Sequence, residues 1–192
     1  MNCLDYTVPV FQIDSFQLKN MLECILHTIL FHRMIYKAIK PKDVLCSAFE
    51  LLSYTSIDDP ILEKNVLSKI DTLMKRINVQ YKNIEQTFHF SIGFYKLIKH
   101  TWPFSDEHLY TEKWNISISI YSIYDKSLTR ETKDRKVYNT YQSLLTILSK
   151  ADVPAPYYDD LKYNYFDIID SDQKDILTNL VDILKSGPPR IL

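Results

Sequence analysis

Thr87-Phe88-His89-Phe90-Ser91-Ile92-Gly93-Phe94 and, further on, Trp114-Asn115-Ile116-Ser117-Ile118-Ser119-Ile120 decide how this chain reads. In the first stretch Phe88, Phe90, Ile92 and Phe94 alternate with smaller or polar residues; in the second Trp114, Ile116, Ile118 and Ile120 do the same. Period-two alternation places each set on one face of an extended chain, so the sequence predicts two half-buried strands forming a hairpin. Their connection, Lys99–Lys113, is long, and loops of that length are functional or disordered. At its centre stands Trp102-Pro103-Phe104, followed by the turn-forming and solvating Ser105-Asp106-Glu107. Pro103 fixes its own φ and drives Trp102 into an extended conformation, which stiffens the tip. The reading is an apolar finger held out on a hairpin; the alternative folds both rings back onto the sheet as core filling. Two such rings can bury roughly 300–500 Å². At about 25 cal/mol per Å² that suffices for an interface hot spot after association costs.

Outward from the hairpin, Tyr6–Ile13 reads as a strand that Pro9 marks as an edge or a bulge. Asp14 with Gln17 forms a capping box for a first helix running to about Met34. Its apolar residues Leu18, Met21, Leu22, Ile25, Leu26, Ile29 and Leu30 cover a wide arc, so the helix should be covered on more than one side. Lys19, Glu23 and His27 make its polar stripe. Ile35–Ile39 and Val44–Tyr54 look strand-like, joined by the turn Lys40-Pro41-Lys42-Asp43. Asp59-Pro60 starts a second helix whose apolar face is Leu62, Val66, Ile70, Leu73 and Ile77. A third helix spans about Glu131–Lys150, with Val137, Tyr141, Leu144 and Leu148 at helical spacing. Pro154 and Pro156 break the chain. A late strand with Tyr163, Tyr165 and Ile168 and a last helix over about Asp172–Ser186 follow. Hairpins with helices inserted between them predict an α+β fold with an antiparallel sheet and helices mainly on one face.

The 192 residues are 46% hydrophobic, enough for one core, and the expectation is a single domain over residues 1–192. A net charge of −1 gives no global field favouring nucleic acid. Lys126, Arg130, Lys133, Arg135 and Lys136 cluster, but Asp125, Glu131 and Asp134 interleave them, as on a solvated helix face. Cys3, Cys24 and Cys46 are odd in number and widely spaced, which predicts neither a disulfide framework nor a zinc knuckle and suits a reducing compartment. Asp5 and the lack of a basic-then-apolar start predict no signal peptide, and no apolar run approaches the roughly 18 residues of a membrane span. Asn115-Ile116-Ser117 matches a glycosylation acceptor but lies inside a predicted strand.

With only Gly93 and Gly187, no phosphate-cradling loop built on several glycines is present. His27 and His32 project from different helix faces and do not share a metal, and His89 suits a solvated or cross-strand role. Asp170-Ser171-Asp172 begins like a calcium loop, but Val181 stands where the closing Glu belongs. No nucleophile or zinc motif appears, so no cofactor, metal or catalytic residue is expected.

Three segments together resemble a known family: Met1-Asn2-Cys3; Met21-Leu22 with Leu26-His27-Thr28-Ile29-Leu30-Phe31-His32-Arg33; and Trp102-Pro103-Phe104-Ser105-Asp106-Glu107. The chain is similar to the autophagy-related protein 101 family, HORMA-domain subunits of the kinase complex that starts autophagosome formation. The resemblance implies a HORMA domain in an open-like state that pairs with, and stabilises, the HORMA domain of autophagy-related protein 13. It implies a non-catalytic adaptor acting in the cytoplasm at the site of autophagosome formation. It matches Trp102, Pro103 and Phe104 to an exposed finger that recruits downstream factors. It places Leu30, Phe31, His32 and Arg33 at the partner interface, the alternative being that Leu30 and Phe31 face the chain's own sheet. The chain departs from the family in a shorter stretch between Arg33 and Asp59 and in a divergent segment over 157–192. Two other readings stand beside the adaptor: a peptide-trapping switch involving residues after Pro154, and a membrane-contacting module using the finger as a wedge.

Overall fold

The computed structural model describes residues 3–34, 40–47, 49, 52–80, 86–101, 107–121, 129–153 and 166–170. Within them the chain runs β1 (Leu4–Thr7), β2 (Phe11–Asp14), a single 3-10 turn (Ser15–Gln17), α1 (Leu18–Met34), β3 (Pro41–Leu45), β4 (Ser53–Ile57), α2 (Pro60–Gln80), β5 (Gln86–Ile98), β6 (Glu107–Tyr121), α3 (Arg130–Ala151) and β7 (Phe166–Asp170). The fold is α+β, as the alternation of hairpins and helices predicts.

The long β5–β6 hairpin is the spine of the main sheet. Its alternating residues keep the expected faces: Phe90, Ile92, Phe94, Trp114, Ile116, Ile118 and Ile120 are all buried. β7 adds to β5 antiparallel, from Phe90 opposite Asp170 to Phe94 opposite Phe166. On the other side β1 and β2 pair with β6 in parallel, with Tyr6 opposite Trp114 and Phe11 opposite Ile118. The sheet is therefore mixed, antiparallel in the middle with a parallel edge. Hairpin spacing could not disclose this, because the partners lie more than a hundred residues apart. The single strand expected over Tyr6–Ile13 is two strands separated by Val8-Pro9-Val10, since a proline cannot donate to the ladder.

Local start signals hold in detail. Asp14 and Gln17 form the reciprocal capping box, with the Asp14 carboxylate accepting from the Phe16 N–H at 2.9 Å and Gln17 accepting from the Asp14 N–H at 3.2 Å. Asp59 caps α2 by accepting from the backbone of Ile61 and Leu62. All five residues expected on the apolar face of α2 are buried. α1 is buried nearly all round, and the elements over it are β4, α2 and α3 of the same chain. Lys19 of its polar stripe reaches Asp71 of α2 at 3.2 Å.

The region after α1 differs from expectation. Lys40-Pro41-Lys42-Asp43 is not the turn; Pro41–Leu45 is a strand, paired antiparallel with Ser53–Ile57. Pro41 is its first residue, where a missing N–H is tolerated. The chain reverses between Cys46 and Leu52, closed by the Cys46 N–H donating to the Leu52 carbonyl at 2.8 Å. The strand expected over 35–39 and the helix expected over 172–186 lie outside the described residues, as do Tyr163 and Tyr165 of the late strand.

α3 keeps three of its four expected apolar residues against the core, Leu144 buried and Val137 and Tyr141 half-buried. Its buried side is Lys136, Thr140, Ser143, Leu144, Ile147 and Ala151, while Leu148 is 41% exposed. Small polar residues let it approach the edge strand β2 and bond to that strand's backbone. Lys136, read as part of a solvated face, is instead buried with its ammonium 4.7 Å from the Tyr121 ring centre.

Candidate protein-binding site

Two surfaces stand out, and the first is the end of the hairpin. β7 accompanies β5 only as far as Phe94, and β1 accompanies β6 only from Glu112. Beyond these points Tyr95–Ile98 and Glu107–Tyr110 continue as a two-stranded ribbon with no further strand beside them among the described residues. Four residues of strand project about 13 Å. The pairing Ile98 opposite Glu107 shortens the connection from the expected Lys99–Lys113 to residues 99–106. The expected alternation began only at Trp114 because Glu107-His108-Leu109-Tyr110-Thr111-Glu112 is too polar to register as a strand.

The ribbon is stiffened by its own side chains. His108 stacks on Tyr95 with ring centres 3.9 Å apart, and Tyr110 meets Tyr95 edge-on at 5.5 Å. Tyr110 also lies over Gly93: a Cβ there would sit 2.6 Å from the Tyr110 ring, so glycine is what lets the ring close down. Burial holds the Tyr110 hydroxyl above its ordinary pKa. At the tip end His100 Nε2 comes within 3.5 Å of Glu107. Trp102, Pro103 and Phe104, the finger residues read from the sequence, lie outside the described residues.

The second surface is built by α1, β4 and α3. A groove of about 280 Å³ is lined by Thr28, Phe31 and His32 of α1, by Leu52 and Tyr54, and by Leu144 and Leu148 of α3. His32 is held in place by its Nδ1–H, which donates to the Thr28 carbonyl at 2.8 Å. Beside the groove α3 carries Tyr138, Tyr141, Leu145 and Leu148, spaced by three and four residues and so on one stripe. Tyr138 is 61% and Leu145 55% exposed. Tyr141 is partly covered by Phe49, edge-on at 6.0 Å. Helical spacing puts Tyr141 and Leu148 on the buried face; Tyr141 does pack half-buried against the core, whereas Leu148 is exposed, and Tyr138 and Leu145 are not singled out by it. The spacing was visible, but one helix carried two apolar stripes and only packing tells which is inside.

Of the four residues assigned to a partner face on α1, the structure separates two from two. Phe31 and His32 are half-buried and line the groove. Leu30 is 1% exposed, in the core of this chain, and Arg33 is 3% exposed. Arg33 Nε donates to Glu112 of β6 at 2.6 Å, and Nη1 donates to the Ala151 carbonyl at 2.8 Å. Glu112 also accepts from Trp114 Nε1, and the guanidinium carbon lies 5.2 Å from the Trp114 ring centre. A helix-ending arginine looks surface-exposed in sequence; here a buried carboxylate seventy-nine positions away takes it inside.

Among the described residues there is no group of three or more His, Cys, Asp or Glu able to hold a metal. His27 stacks on Tyr54 at 5.8 Å, and burial lowers its pKa. His89, as expected, bonds across the strands to the Ser117 hydroxyl at 2.8 Å.

The comparison with known proteins agrees with the resemblance. Residues 11–155, which include the hairpin, its tip and α3, match the family model described as autophagy-related protein 101. The chain belongs to the autophagy-related protein 101 family. The family member of Arabidopsis thaliana is 31% identical over 122 residues, covering 62% of this chain and 54% of that protein. The member from Xenopus tropicalis is 23% identical over 166 residues, 78% of this chain and 74% of its own, and that of Mus musculus 20% over 163. The match thus spans about half the length of the Arabidopsis relative. Among the described residues, no helix is long and apolar enough to cross a membrane.

Proposed function

We propose that this autophagy-related chain is a non-catalytic adaptor of the autophagy-initiation complex, built as a HORMA domain over residues 1–192. It pairs with the HORMA domain of autophagy-related protein 13 and stabilises it. Through Trp102, Pro103 and Phe104 it recruits downstream factors at the site of autophagosome formation. The observation that carries the pairing is the exposed stripe Tyr138, Leu145 and Leu148 beside the groove at Phe31 and His32. Contiguous exposed apolar surface of this kind marks a protein contact. Leu30 and Arg33 support that face from beneath, Leu30 by packing and Arg33 through Ala151 at the end of α3. The recruitment reading is supported by the stiffened ribbon, whose last pair, Ile98 and Glu107, lies past the ends of the flanking strands β7 and β1.

The test is to mix the chain with the partner domain and measure the mass of the complex in solution. Leu145→Asp places a charge at the centre of the stripe without touching the core. It should abolish the complex while leaving the free chain's melting temperature within its ordinary scatter. Undiminished complex formation would refute the assignment of this face.

A further inference from the structure

A carbonyl oxygen only accepts, so the His32 nitrogen 2.8 Å from the Thr28 carbonyl, Nδ1, must carry the proton. In the neutral imidazole the other nitrogen, Nε2, is then a bare acceptor. No described residue donates to it. The ring is held from two sides, by Thr28 one turn earlier and by Phe31, which meets it edge-on with centres 5.7 Å apart. With Nδ1 turned back onto the helix, Nε2 is the corner of the ring that reaches away from it, and His32 lines the groove between α1, β4 and α3.

Around that acceptor the walls are apolar: Phe31, Leu52, Leu144 and Leu148, with the Tyr54 ring backed by His27 at 5.8 Å. The groove, about 280 Å³, has room for one large side chain and opens beside the exposed residues Leu145 and Leu148. An aliphatic occupant would strip water from Nε2 and return no bond, leaving an acceptor unsatisfied. A lysine or arginine would return the bond but lose its hydration against apolar walls. A tryptophan meets both demands, since its indole is a large apolar body with one N–H that donates and never accepts. We propose that the groove seats a tryptophan side chain of the partner domain, whose indole N–H donates to His32 Nε2. This rests on the pairing face proposed above and deepens it by naming the anchor which that face takes.

The experiment uses the full chain and two isomers of the tryptophan side chain: 3-methylindole, which keeps the N–H, and 1-methylindole, in which a methyl group replaces that hydrogen. Each is titrated into isotope-labelled protein, and binding is read from the amide shifts of Phe31, His32, Leu144 and Leu148. In wild type 3-methylindole should bind about fivefold tighter than its isomer, the contribution of one hydrogen bond. In His32→Phe, which keeps a ring and removes both nitrogens, that ratio should vanish. Equal binding of the isomers to wild type, no shift at those amides, or a ratio that survives in His32→Phe would overturn the proposal. So would tighter binding of 4-methylphenol or butylammonium, which would give the seat to a tyrosine or a lysine. The wild-type comparisons decide even should His32→Phe not fold. With the partner domain, His32→Phe should raise Kd about tenfold. If Leu145→Asp abolishes the complex and His32→Phe leaves its affinity unchanged, the tryptophan seat alone is overturned; if Leu145→Asp leaves the complex intact, the pairing face falls and the seat with it.

Discussion

Thr140 of α3 bonds to both backbone groups of Gln12 in β2: its hydroxyl oxygen accepts from the Gln12 N–H at 3.0 Å and donates to the Gln12 carbonyl at 2.8 Å. Ser143 donates to the Val10 carbonyl at 3.3 Å, and the Asn139 amide donates to the Gln12 side chain at 2.9 Å. The helix thus occupies the open side of an edge strand, where unpaired backbone would otherwise invite another chain. Thr140→Val keeps the shape and removes both bonds. It should cost about 1–3 kcal/mol, or roughly 2–4 °C of melting temperature for each kcal/mol in a chain of this size. Calorimetry checks this, and an unchanged transition would mean that the bonds to Gln12 do not hold α3.

His27 predicts a pH dependence. Burial disfavours the imidazolium and holds its pKa below the ordinary 6.5; nearby Glu63 pulls it up and Lys42 pushes it further down, both less strongly than burial. The unfolded chain therefore binds the proton first as pH falls. The contribution is complete above about pH 6.5 and is lost below it, with a slope approaching 1.4 kcal/mol per pH unit. Urea unfolding at pH 7.5 and 5.5 should show a loss in wild type that is smaller in His27→Gln. Equal losses in the two proteins would exclude His27 as the cause.

The three cysteines should differ sharply in reactivity. Cys3 is exposed, whereas Cys24 and Cys46 are buried. Donation of a hydrogen bond by the Cys24 thiol to Cys46, with burial, pushes that thiol far above its ordinary pKa, so little reactive thiolate forms. A maleimide at neutral pH should label one thiol rapidly and the other two only on unfolding. Rapid labelling of two or three would show that α1 and the β3–β4 hairpin separate in the native state.

The sequence was legible where a signal is local. Asp14 with Gln17, Asp59 with Pro60, and the alternation from Phe88 to Phe94 each state their structure within a few residues, because caps and pleats are short-range physics. It was not legible where partners meet from afar. Nothing near Tyr6 announces a parallel pairing with Trp114, and nothing near Arg33 announces Glu112. The bulge at Thr111 hid the lower half of β6, because it breaks the period that identifies a strand. Of the candidate site, Trp102-Pro103-Phe104 rests on the sequence alone and lies outside the described residues, whereas the α3 stripe required knowing which side of the helix the sheet had claimed.

The recruiting role of the tip is the centre of the account, and Trp102→Ala with Phe104→Ala tests it most directly. Wild type and variant are each captured with the partner domain from starved cells, and melting temperature is measured on the same preparations. The account predicts an unchanged melting temperature, an intact pair with the partner domain and loss of the downstream factors. A truncated core aromatic costs about 3–5 kcal/mol. A fall in melting temperature of that scale, or undiminished capture of those factors, would contradict it.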